Sequence, residues 1–279
     1  MDPGDIDLSG LIDLHMHTAP DVTQRSCDDL QAARLARDAG MRAILIKSHH
    51  TLTADRAAMA EKATGGVAVF GGMALNDAVG GLNPAAVEAA LRMGCREVWM
   101  PTRSAAHLRR QEGQPGGLSP FTPDGSPLAA VQEILALIRD ADAVLGTGHL
   151  SPSETVRLVG LARQRGLRKI LITHPEAPFL GMDLATQGEM AGDGVFFEHC
   201  YLFCAAPLDG AAPLAEVAAR IRAVGVRSVV LATDLGKPQY PLPVDGFRAY
   251  LAGLMGEGFT PAEIRTMAGH NPSALLGIG

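Results

Sequence analysis

The chain has 279 residues, of which 47% are hydrophobic, and this is enough to bury the core of one large domain. Its formal net charge of −6 argues against a nucleic acid as a partner. The start of the chain carries no basic segment followed by an apolar one, and no apolar run approaches the roughly 18 residues that span a bilayer. Four cysteines in so long a chain do not make a disulfide framework, so we expect a reduced, cytoplasmic protein that does not use a membrane.

Eight short apolar runs follow one another along the chain, and each is separated from the next by a segment of helical character. Near-continuous apolar runs are typical of parallel strands that are covered on both faces. The predicted strands cover residues 11–15, 42–47, 67–72, 97–100, 143–148, 169–174, 195–199 and 228–234.

The segments between these strands carry signals for the starts of helices. Residues 151–154 (SPSE) and 260–263 (TPAE) each combine a capping box with proline at the first helical position. Residues 128–138 place their apolar side chains on one stripe, as expected for a helix that covers a barrel. Eight alternating strand–helix units predict an α/β fold, a (β/α)8 TIM barrel, formed by residues 1–279 as a single domain.

One connection between these elements is unusually rich in glycine and proline. Residues 111–127, between the fourth strand and its helix, contain four glycines and four prolines. Long loops in compact domains are often lids or binding loops. A surface insertion explains the segment equally well, so both interpretations stay open.

The histidines concentrate at the ends of the predicted strands. Seven of the nine lie at or just after the C-terminal end of a strand, and Asp234 ends the eighth strand. In a (β/α)8 barrel these ends converge on one rim, which is where the active site lies. The seven are His15, His17, His49, His50, His149, His174 and His199.

This pattern predicts a metal site. Residues i and i+2 of a strand point to the same face, so His15 and His17 can approach one ion together. Imidazole suits zinc and other first-row transition metals, and a carboxylate completes a mixed site with room for water. A metal ion lowers the pKa of its bound water to about 7, and Asp234 is expected to orient that water and accept its proton as general base.

The residues that form this pattern resemble the signature of the metal-dependent amidohydrolase superfamily. The resemblance lies in His-Met-His at strand one, single histidines ending strands five and six, and aspartate ending strand eight. The closing residues 271–279 (NPSALLGIG) are also similar to the C-terminal helix of that superfamily, and the likeness is closest to an uncharacterised amidohydrolase-like family. It implies metal-dependent hydrolysis of a small molecule, with Asp234 as ligand and general base and with these further metal ligands: His15, His17, His149 and His174.

The chain departs from that signature at strand four. Binuclear members usually bridge two metals there with a carboxylated lysine or a glutamate, whereas this strand ends in Met100-Pro101-Thr102. Lys47, which ends strand two, is the only lysine at a strand end. We expect Lys47 either to be carboxylated and bridge two metals or to hold an anionic substrate. One or two divalent ions are therefore expected, zinc first, with manganese or iron as alternatives.

Further residues are candidates for the surroundings of the metal. His199 is preferred over Glu198 as the rim residue of strand seven, and it is assigned to polarise the substrate carbonyl. His49 shares the parity of Lys47 and is preferred over His50. Cationic side chains on the rim loops favour a small anionic substrate. The substrate-binding candidates are His49, Arg25, Arg103, Tyr201 and Lys237.

The leading hypothesis is a metal-dependent hydrolase that cleaves a cyclic amide, a lactone or a related C–N or C–O bond. The start of the chain also resembles the polymerase-and-histidinol-phosphatase (PHP) phosphoesterases, in which His15, His17, His49 and Asp21 would join a three-metal cluster. Eight strands, and Ser48 where that family has aspartate, count against this alternative. A metal-dependent decarboxylase or other lyase on the same scaffold and a non-catalytic ligand-binding barrel stay open, and a homo-oligomer is expected by analogy with other barrels.

Overall fold

All eight predicted strands are present in the computed structural model, which describes residues 3–192, 194–204 and 210–279. Six of the eight are buried along their whole length, as expected for apolar strands that face other layers on both sides. The strands are β1 (Ile12–Met16), β2 (Ala43–Ile46), β3 (Ala68–Ala74), β4 (Glu97–Trp99), β5 (Val144–Gly146), β6 (Ile170–Thr173), β7 (Val195–Cys200) and β8 (Val229–Ala232).

The strands form a closed parallel barrel. They pair in chain order from β1 to β8, and every pairing is parallel. Closure follows from two bonds beyond β8. The N–H of Asp234 donates to the carbonyl of His15 (2.7 Å), and the N–H of His17 donates to the carbonyl of Leu235 (2.8 Å). The predicted (β/α)8 barrel is confirmed, and the C-terminal ends of its strands form one rim.

Helices alternate with the strands and cover the outside of the barrel. Both predicted capping boxes are present, since Ser151 and Thr260 each accept from the backbone N–H three residues on and pair with the glutamate there. The helices are α1 (Asp29–Asp38), α2 (Ala54–Thr64), α3 (Pro84–Arg92), α4 (Ala106–Gln111), α5 (Ala129–Asp140), α6 (Pro152–Gln164), α7 (Leu184–Met190), α8 (Leu214–Val224), α9 (Pro243–Gly256), α10 (Pro261–Arg265) and α11 (Asn271–Leu276).

The hydrophobic core has an inner and an outer part. Ile12, Leu45 and Val230 belong to a cluster inside the barrel, which Leu275 and Leu276 of α11 complete. Two larger clusters lie between the strands and the helices. Because Ile12 begins β1, α11 covers the end of the barrel opposite the rim and leaves the rim accessible to the loops.

The Gly/Pro-rich segment follows the short helix α4 and is fixed to the neighbouring unit of the barrel. Ser119 Oγ donates to Glu154 in the first turn of α6 (2.6 Å). The guanidinium of Arg157 lies 4.1 Å from the centre of the Phe121 ring. Within the described ranges, no helix combines the length and the apolar character that crossing a bilayer requires.

Candidate metal centre

A bulge in β1 turns two histidines toward the mouth of the barrel. Between Asp13 and Met16, β1 has one residue more than the facing segment of β2. Leu14 belongs to the inner core and Met16 to the outer core. The extra residue therefore places His15 on the inner side, and His17 follows it with the same orientation because it lies two positions further along.

Asp234 follows β8 and receives both histidines. Its Oδ1 lies 3.0 Å from Nε2 of His15 and 3.0 Å from Nε2 of His17. These three ligand atoms all lie within 4.8 Å of one another. The backbone of Asp234 has φ of 51°, in the left-handed region that residues other than glycine rarely adopt. Strained conformations of this kind concentrate at functional sites.

A second carboxylate ties the bulge of β1 to the end of β8. Asp13 is fully buried and accepts from the backbone N–H groups of His15 and Thr233, both at 3.1 Å. The hydroxyl of Thr233 also donates to it, at 2.6 Å. Burial raises the pKa of Asp13 to about 7 in spite of these bonds. The position of His15 thus depends on the Asp13–Thr233 pair.

Two further buried ionisable side chains contact the ring of His15. Nζ of Lys47 lies 3.0 Å from Nε2 of His15 and 4.8 Å from the centre of the Trp99 ring. Oε2 of Glu198 lies 3.0 Å from Nδ1 of His15. Burial lowers the pKa of Lys47, against the opposing effect of Asp234 and Glu198. His15 therefore has an ionisable partner at each ring nitrogen.

The charges of this group are unequally distributed. Burial acts to lower the pKa of His15, but Asp234 and Glu198 raise it to about 9. Burial lowers the pKa of His17 to about 3, although Asp234 opposes this. Burial acts to raise the pKa of Asp234, but the two histidines hold it well below its usual range. At neutral pH, His15 and Asp234 form a buried ion pair next to a neutral His17.

His149 and His174 follow β5 and β6 on the other side of the mouth. Their ring centres are 5.0 Å apart, and Nε2 of His174 lies 4.0 Å from Oδ2 of Asp234. Both Nδ1 atoms are buried, and neither has a hydrogen-bond partner among the described residues. Burial lowers the pKa of His174 to about 3 and that of His149 well below its usual value, so both rings are neutral.

Aromatic side chains form the wall next to these two histidines. The ring centre of Phe179 lies 4.9 Å from that of His149 and 5.6 Å from that of His174. The ring of Phe203 lies 4.6 Å from that of His174. His107 is buried, and its Nε2 lies 2.8 Å from the carbonyl oxygen of Phe179. This side of the mouth is apolar apart from the imidazoles.

Polar side chains form the wall near β2 and β4. The ring centre of His49 lies 4.8 Å from that of His17, and Nδ1 of His49 lies 2.8 Å from the hydroxyl of Thr102. Asn76 donates to that hydroxyl (2.7 Å) and to the carbonyl of His49 (2.9 Å). The structure therefore brings His49 to the histidine group and fixes its orientation.

Arg25 lies next to the histidine group but is engaged by an acidic partner. Its guanidinium donates to Asp21 (2.8 Å), and the same Nη2 lies 3.2 Å from Nδ1 of His17. Nδ1 of His50 lies 3.3 Å from Asp21. Because a guanidinium only donates, Nδ1 of His17 accepts here and Nε2 carries the proton that faces Asp234.

The expectation that His199 is the inward residue of β7 is wrong. Alternate residues of a strand point to opposite sides, and it is Glu198 that reaches His15 in the interior. The fully buried ring of His199 bonds to Oε2 of Glu176 (2.9 Å), and its carbonyl accepts from the hydroxyl of Tyr250. The alternation of side chains along β7, and not the position of His199 at the end of the strand, determines which residue points inward.

The remaining three substrate-binding candidates differ from one another in their surroundings. The expectation for Tyr201 is wrong: only 8% of it is exposed, and it packs in the outer core 5.7 Å from Tyr250, because the turn after β7 carries it toward α9. Arg103 has 54% of its side chain exposed, with a carboxylate at 3.9 Å. Lys237 is half-buried and makes no side-chain hydrogen bond or ion pair with the described part of the chain.

Two glutamates of the interior were missed by the sequence reasoning. Glu198 lies within an apolar strand and contacts His15, and Glu97 of β4 is fully buried inside the barrel. Neither carboxylate oxygen of Glu97 has a partner among the described residues, and burial and Glu198 raise its pKa well above the usual value. A glutamate inside an apolar run was the available signal, because a buried charge needs a partner.

The donor set at the mouth fits a divalent transition-metal ion. Two imidazole nitrogens and a carboxylate oxygen converge from His15, His17 and Asp234, which is the ligand chemistry that zinc prefers. His149 and His174 add two imidazoles whose buried Nδ1 atoms have no partner in the described part of the chain, and Nε2 of His174 lies 4.0 Å from the second oxygen of Asp234. These five residues could hold a metal ion.

The fold and this group define a (β/α)8 barrel with a histidine–aspartate centre at the C-terminal rim. The model of a family of unknown function, DUF6282, matches residues 10–198, which is more than half of the chain. The chain belongs to this family. No curated protein is significantly similar to it.

Solved structures, two hydrolases among them, share the fold. An amidohydrolase from Pseudomonas aeruginosa superposes with a TM-score of 0.65 at 13% identity, over 99% of this chain and 98% of the other. The organophosphorus hydrolase from Deinococcus radiodurans gives 0.64 at 14% identity, over 97% and 93%. The apo structure of ATU3138 from Agrobacterium tumefaciens gives 0.59 at 15% identity, over 99% of both chains. The expected resemblance to the amidohydrolase superfamily is confirmed at the level of the fold.

Proposed function

We propose that the protein is a metal-dependent hydrolase whose ion is held by His15, His17 and Asp234, with His149 and His174 completing the site. The observation that carries the proposal is the convergence of both Nε2 atoms on Oδ1 of Asp234, each at 3.0 Å. This group of side chains lies at the rim where barrel enzymes bind their substrates. Zinc is the first candidate because imidazole and carboxylate ligands suit it, and manganese or iron are alternatives.

The residues of the site divide the work of hydrolysis between them. When bound, a divalent ion supplies a Lewis acid and an attacking water of lowered pKa. Asp234 has a second oxygen, Oδ2, that faces His174 across 4.0 Å, and this oxygen is placed to accept the proton of the attacking water. The low pKa of Asp234 keeps it ionised, as a proton acceptor must be. His149 and His174 are neutral and present nitrogens to an ion or a substrate.

The surroundings favour a small substrate with one anionic part and one apolar part. Arg103 is exposed at the polar wall and has only a distant carboxylate partner, so its guanidinium is available to a carboxylate or phosphate. Arg25 is less available because Asp21 already binds it. Phe179 and Phe203 offer an apolar surface on the other side. A lactone, a cyclic amide or an ester that bears a carboxylate fits these walls.

The structural relatives support hydrolysis as the reaction class. They include an amidohydrolase, an organophosphorus hydrolase and an enzyme engineered from a weak promiscuous lactonase template. The PHP phosphoesterase alternative is less favoured, because Asp21 is bound by Arg25 and His50 rather than by the histidines of the centre. Metal-dependent decarboxylation on the same scaffold differs from hydrolysis in its product, so release of carbon dioxide separates the two.

The first experiment measures bound metal. Protein purified without chelator or histidine tag is analysed by mass spectrometry, together with His15→Ala/His17→Ala and with His270→Ala, an exposed histidine of the C-terminal region, as matched control. We expect one or two equivalents in the wild type and in His270→Ala, and none in the double variant. Absence of metal from the wild type, even after reconstitution, contradicts the proposal.

The second experiment measures activity. Carboxylester, lactone, amide and phosphoester panels are run with and without chelator on the same three proteins. We expect chelator-sensitive hydrolysis by the wild type and the control, and none by the double variant. Activity that survives complete metal removal would show that the hydrolase is not metal-dependent.

A further inference from the structure

We propose that Glu198 is a positioning residue that fixes the ring of His15 so that Nε2, and not Nδ1, is the nitrogen offered to the metal. The inference rests on the proposed function for its purpose but not for its geometry. Oε2 of Glu198 lies 3.0 Å from Nδ1 of His15, and both side chains are fully buried. The two residues are 183 positions apart and meet inside the barrel.

The contact with Glu198 determines which nitrogen of the His15 ring keeps a proton. A carboxylate only accepts, so the atom of His15 that faces Glu198 must be an N–H. The protonated ring of His15 carries a proton on each nitrogen, and the proton on Nε2, which faces Oδ1 of Asp234 at 3.0 Å, has to leave when a metal binds. Glu198 keeps the other proton on Nδ1, so the ligand lone pair is left on Nε2. A carboxylate behind a metal-bound histidine fixes the tautomer and the orientation of the ring in many metal sites.

His17, the neighbouring ligand, meets a different kind of group at Nδ1. Nδ1 of His17 faces the guanidinium of Arg25 at 3.2 Å, and a guanidinium only donates. No carboxylate therefore holds a proton on Nδ1 of His17 in this arrangement. Of the two histidines at the end of β1, His15 is the one whose ring is oriented in advance for metal binding, and Glu198 is the group that orients it.

Cys200 distinguishes a positioning role of Glu198 from direct ligation by Glu198. Cys200, on the same strand as Glu198, lies 3.9 Å from Nδ1 of His15, so His15, Glu198 and Cys200 could themselves form a deeper ligand group. In that arrangement Glu198 and Cys200 would both be ligands. If Glu198 only positions His15, removal of the Cys200 thiol leaves metal affinity and stoichiometry unchanged.

The test uses the full chain with Glu198→Ala, Glu198→Gln and Cys200→Ala. The matched control is Glu97→Gln, another fully buried glutamate of the barrel interior. Zinc affinity is measured by competition with a chromophoric chelator. The proton on Nδ1 of His15 is followed as a downfield imidazole N–H resonance in the proton NMR spectrum, assigned through its loss in His15→Ala.

We expect Glu198→Ala to weaken zinc binding by about 10–100-fold, the range typical of lost outer partners, and to lose the N–H resonance. Glu198→Gln keeps the shape and an accepting oxygen, so it should retain the resonance and most of the affinity, and it serves if Glu198→Ala fails to fold. Glu97→Gln and Cys200→Ala should match the wild type.

Two outcomes would overturn the inference. One is a His15 N–H resonance and a zinc affinity in Glu198→Ala that equal those of the wild type. The other is a fall in metal stoichiometry in Cys200→Ala, which would make Glu198 a ligand. The resonance is measured on metal-free protein as well, so a wild type that binds no metal overturns the proposed function while the resonance still decides the role of Glu198.

Discussion

The two sides of the barrel mouth use histidine in opposite ways. On the side of β1 and β8, His15 has ionisable partners at both ring nitrogens, and the Asp13–Thr233 pair holds its backbone. On the side of β5 and β6, His149 and His174 are neutral, lie against aromatic rings, and leave their Nδ1 atoms without partners in the described part of the chain. One side is ionic and the other is apolar.

This difference indicates which part of the site is formed in advance. Buried charges are tolerated only when they are paired, so the β1–β8 side is a network whose members fix one another. A neutral imidazole whose Nδ1 makes no hydrogen bond loses little interaction free energy when it moves. The β5–β6 side can therefore adjust to an ion or a substrate. We therefore expect the β1–β8 side to determine metal affinity, and the β5–β6 side to determine how the occupied site is completed.

The largest expected effect is on metal affinity. Asp234→Asn removes the charge on which His15 and His17 converge, so the loss should exceed the roughly 10–100-fold that is typical of an outer partner. His149→Asn should cost less, because His149 has no polar contact with that group. Zinc titration against a competing chelator measures both. An equal loss in the two variants would remove the distinction between the sides.

The second prediction compares two threonines that precede site residues. The Thr233 hydroxyl donates to the buried carboxylate of Asp13, whereas the Thr173 hydroxyl accepts from the backbone N–H of Gly148. Hydrogen bonds to charged groups contribute about 1.5–3 kcal/mol, and neutral ones about 0.5–1.5 kcal/mol. At a pH well above 7, where Asp13 is ionised, we expect Thr233→Val to lower the free energy of unfolding by more than Thr173→Val, each by an amount in its range.

Urea unfolding of metal-free protein measures both values, and circular dichroism checks that the variants fold. If the two variants lost equal amounts of unfolding free energy, or if Thr173→Val lost more, the junction of β1 and β8 would be no more strongly stabilised than the β5–β6 side.

The third prediction is that the two sides respond to pH in opposite directions. The folded pKa of His174, about 3, lies below the unfolded value of 6.5, so its contribution to stability is lost as pH falls from 6.5 toward 3. The folded pKa of His15, about 9, lies above that value, so its contribution is present below pH 6.5 and is lost as pH rises toward 9. Each residue changes stability by at most about 1.4 kcal/mol per pH unit.

The measurement is the free energy of unfolding of the metal-free wild type, His174→Gln and His15→Gln. We expect the advantage of the wild type over His174→Gln to shrink from pH 6.5 to 4.5. Its advantage over His15→Gln should shrink from pH 6.5 to 9. Subtracting the free energy of unfolding of each variant from that of the wild type removes the contributions of titrating groups that the substitution leaves unchanged. If both of these differences changed in the same direction as pH rises, the contrast between the two sides would be contradicted.

Much of the fold and part of the site could be read from the sequence, because both follow from local patterns. Apolar runs between helical segments predicted all eight strands, and parallel strands bring their C-terminal ends to one rim whatever the loops are. The i, i+2 spacing also predicted correctly that His15 and His17 point the same way. These conclusions need only the periodicity of one element at a time.

The errors arose where two distant elements meet. The inward residue of β7 depends on how its register fits β6 and β8, and a shift of one residue replaces His199 by Glu198. The bulge of β1 is set by its pairing with β2. The contacts of Glu198 with His15 and of Thr233 with Asp13 join residues more than 180 positions apart, and no spacing in the sequence indicates them.

The smallest expected effect concerns the aromatic wall. Phe179 is half-buried and contacts His149, His174 and Phe203 through its ring. Phe179→Leu keeps an apolar side chain but loses the ring contacts, each of which contributes about 0.5–1.5 kcal/mol in favourable geometry, so partial exposure should hold the loss of stability below about 1 kcal/mol. Zinc affinity should not change, because Phe179 touches none of His15, His17 and Asp234.

Urea unfolding and the chelator titration measure the two quantities. A change in zinc affinity without a change in stability would show that the apolar side also sets the metal, and the division between the two sides of the mouth would then fail.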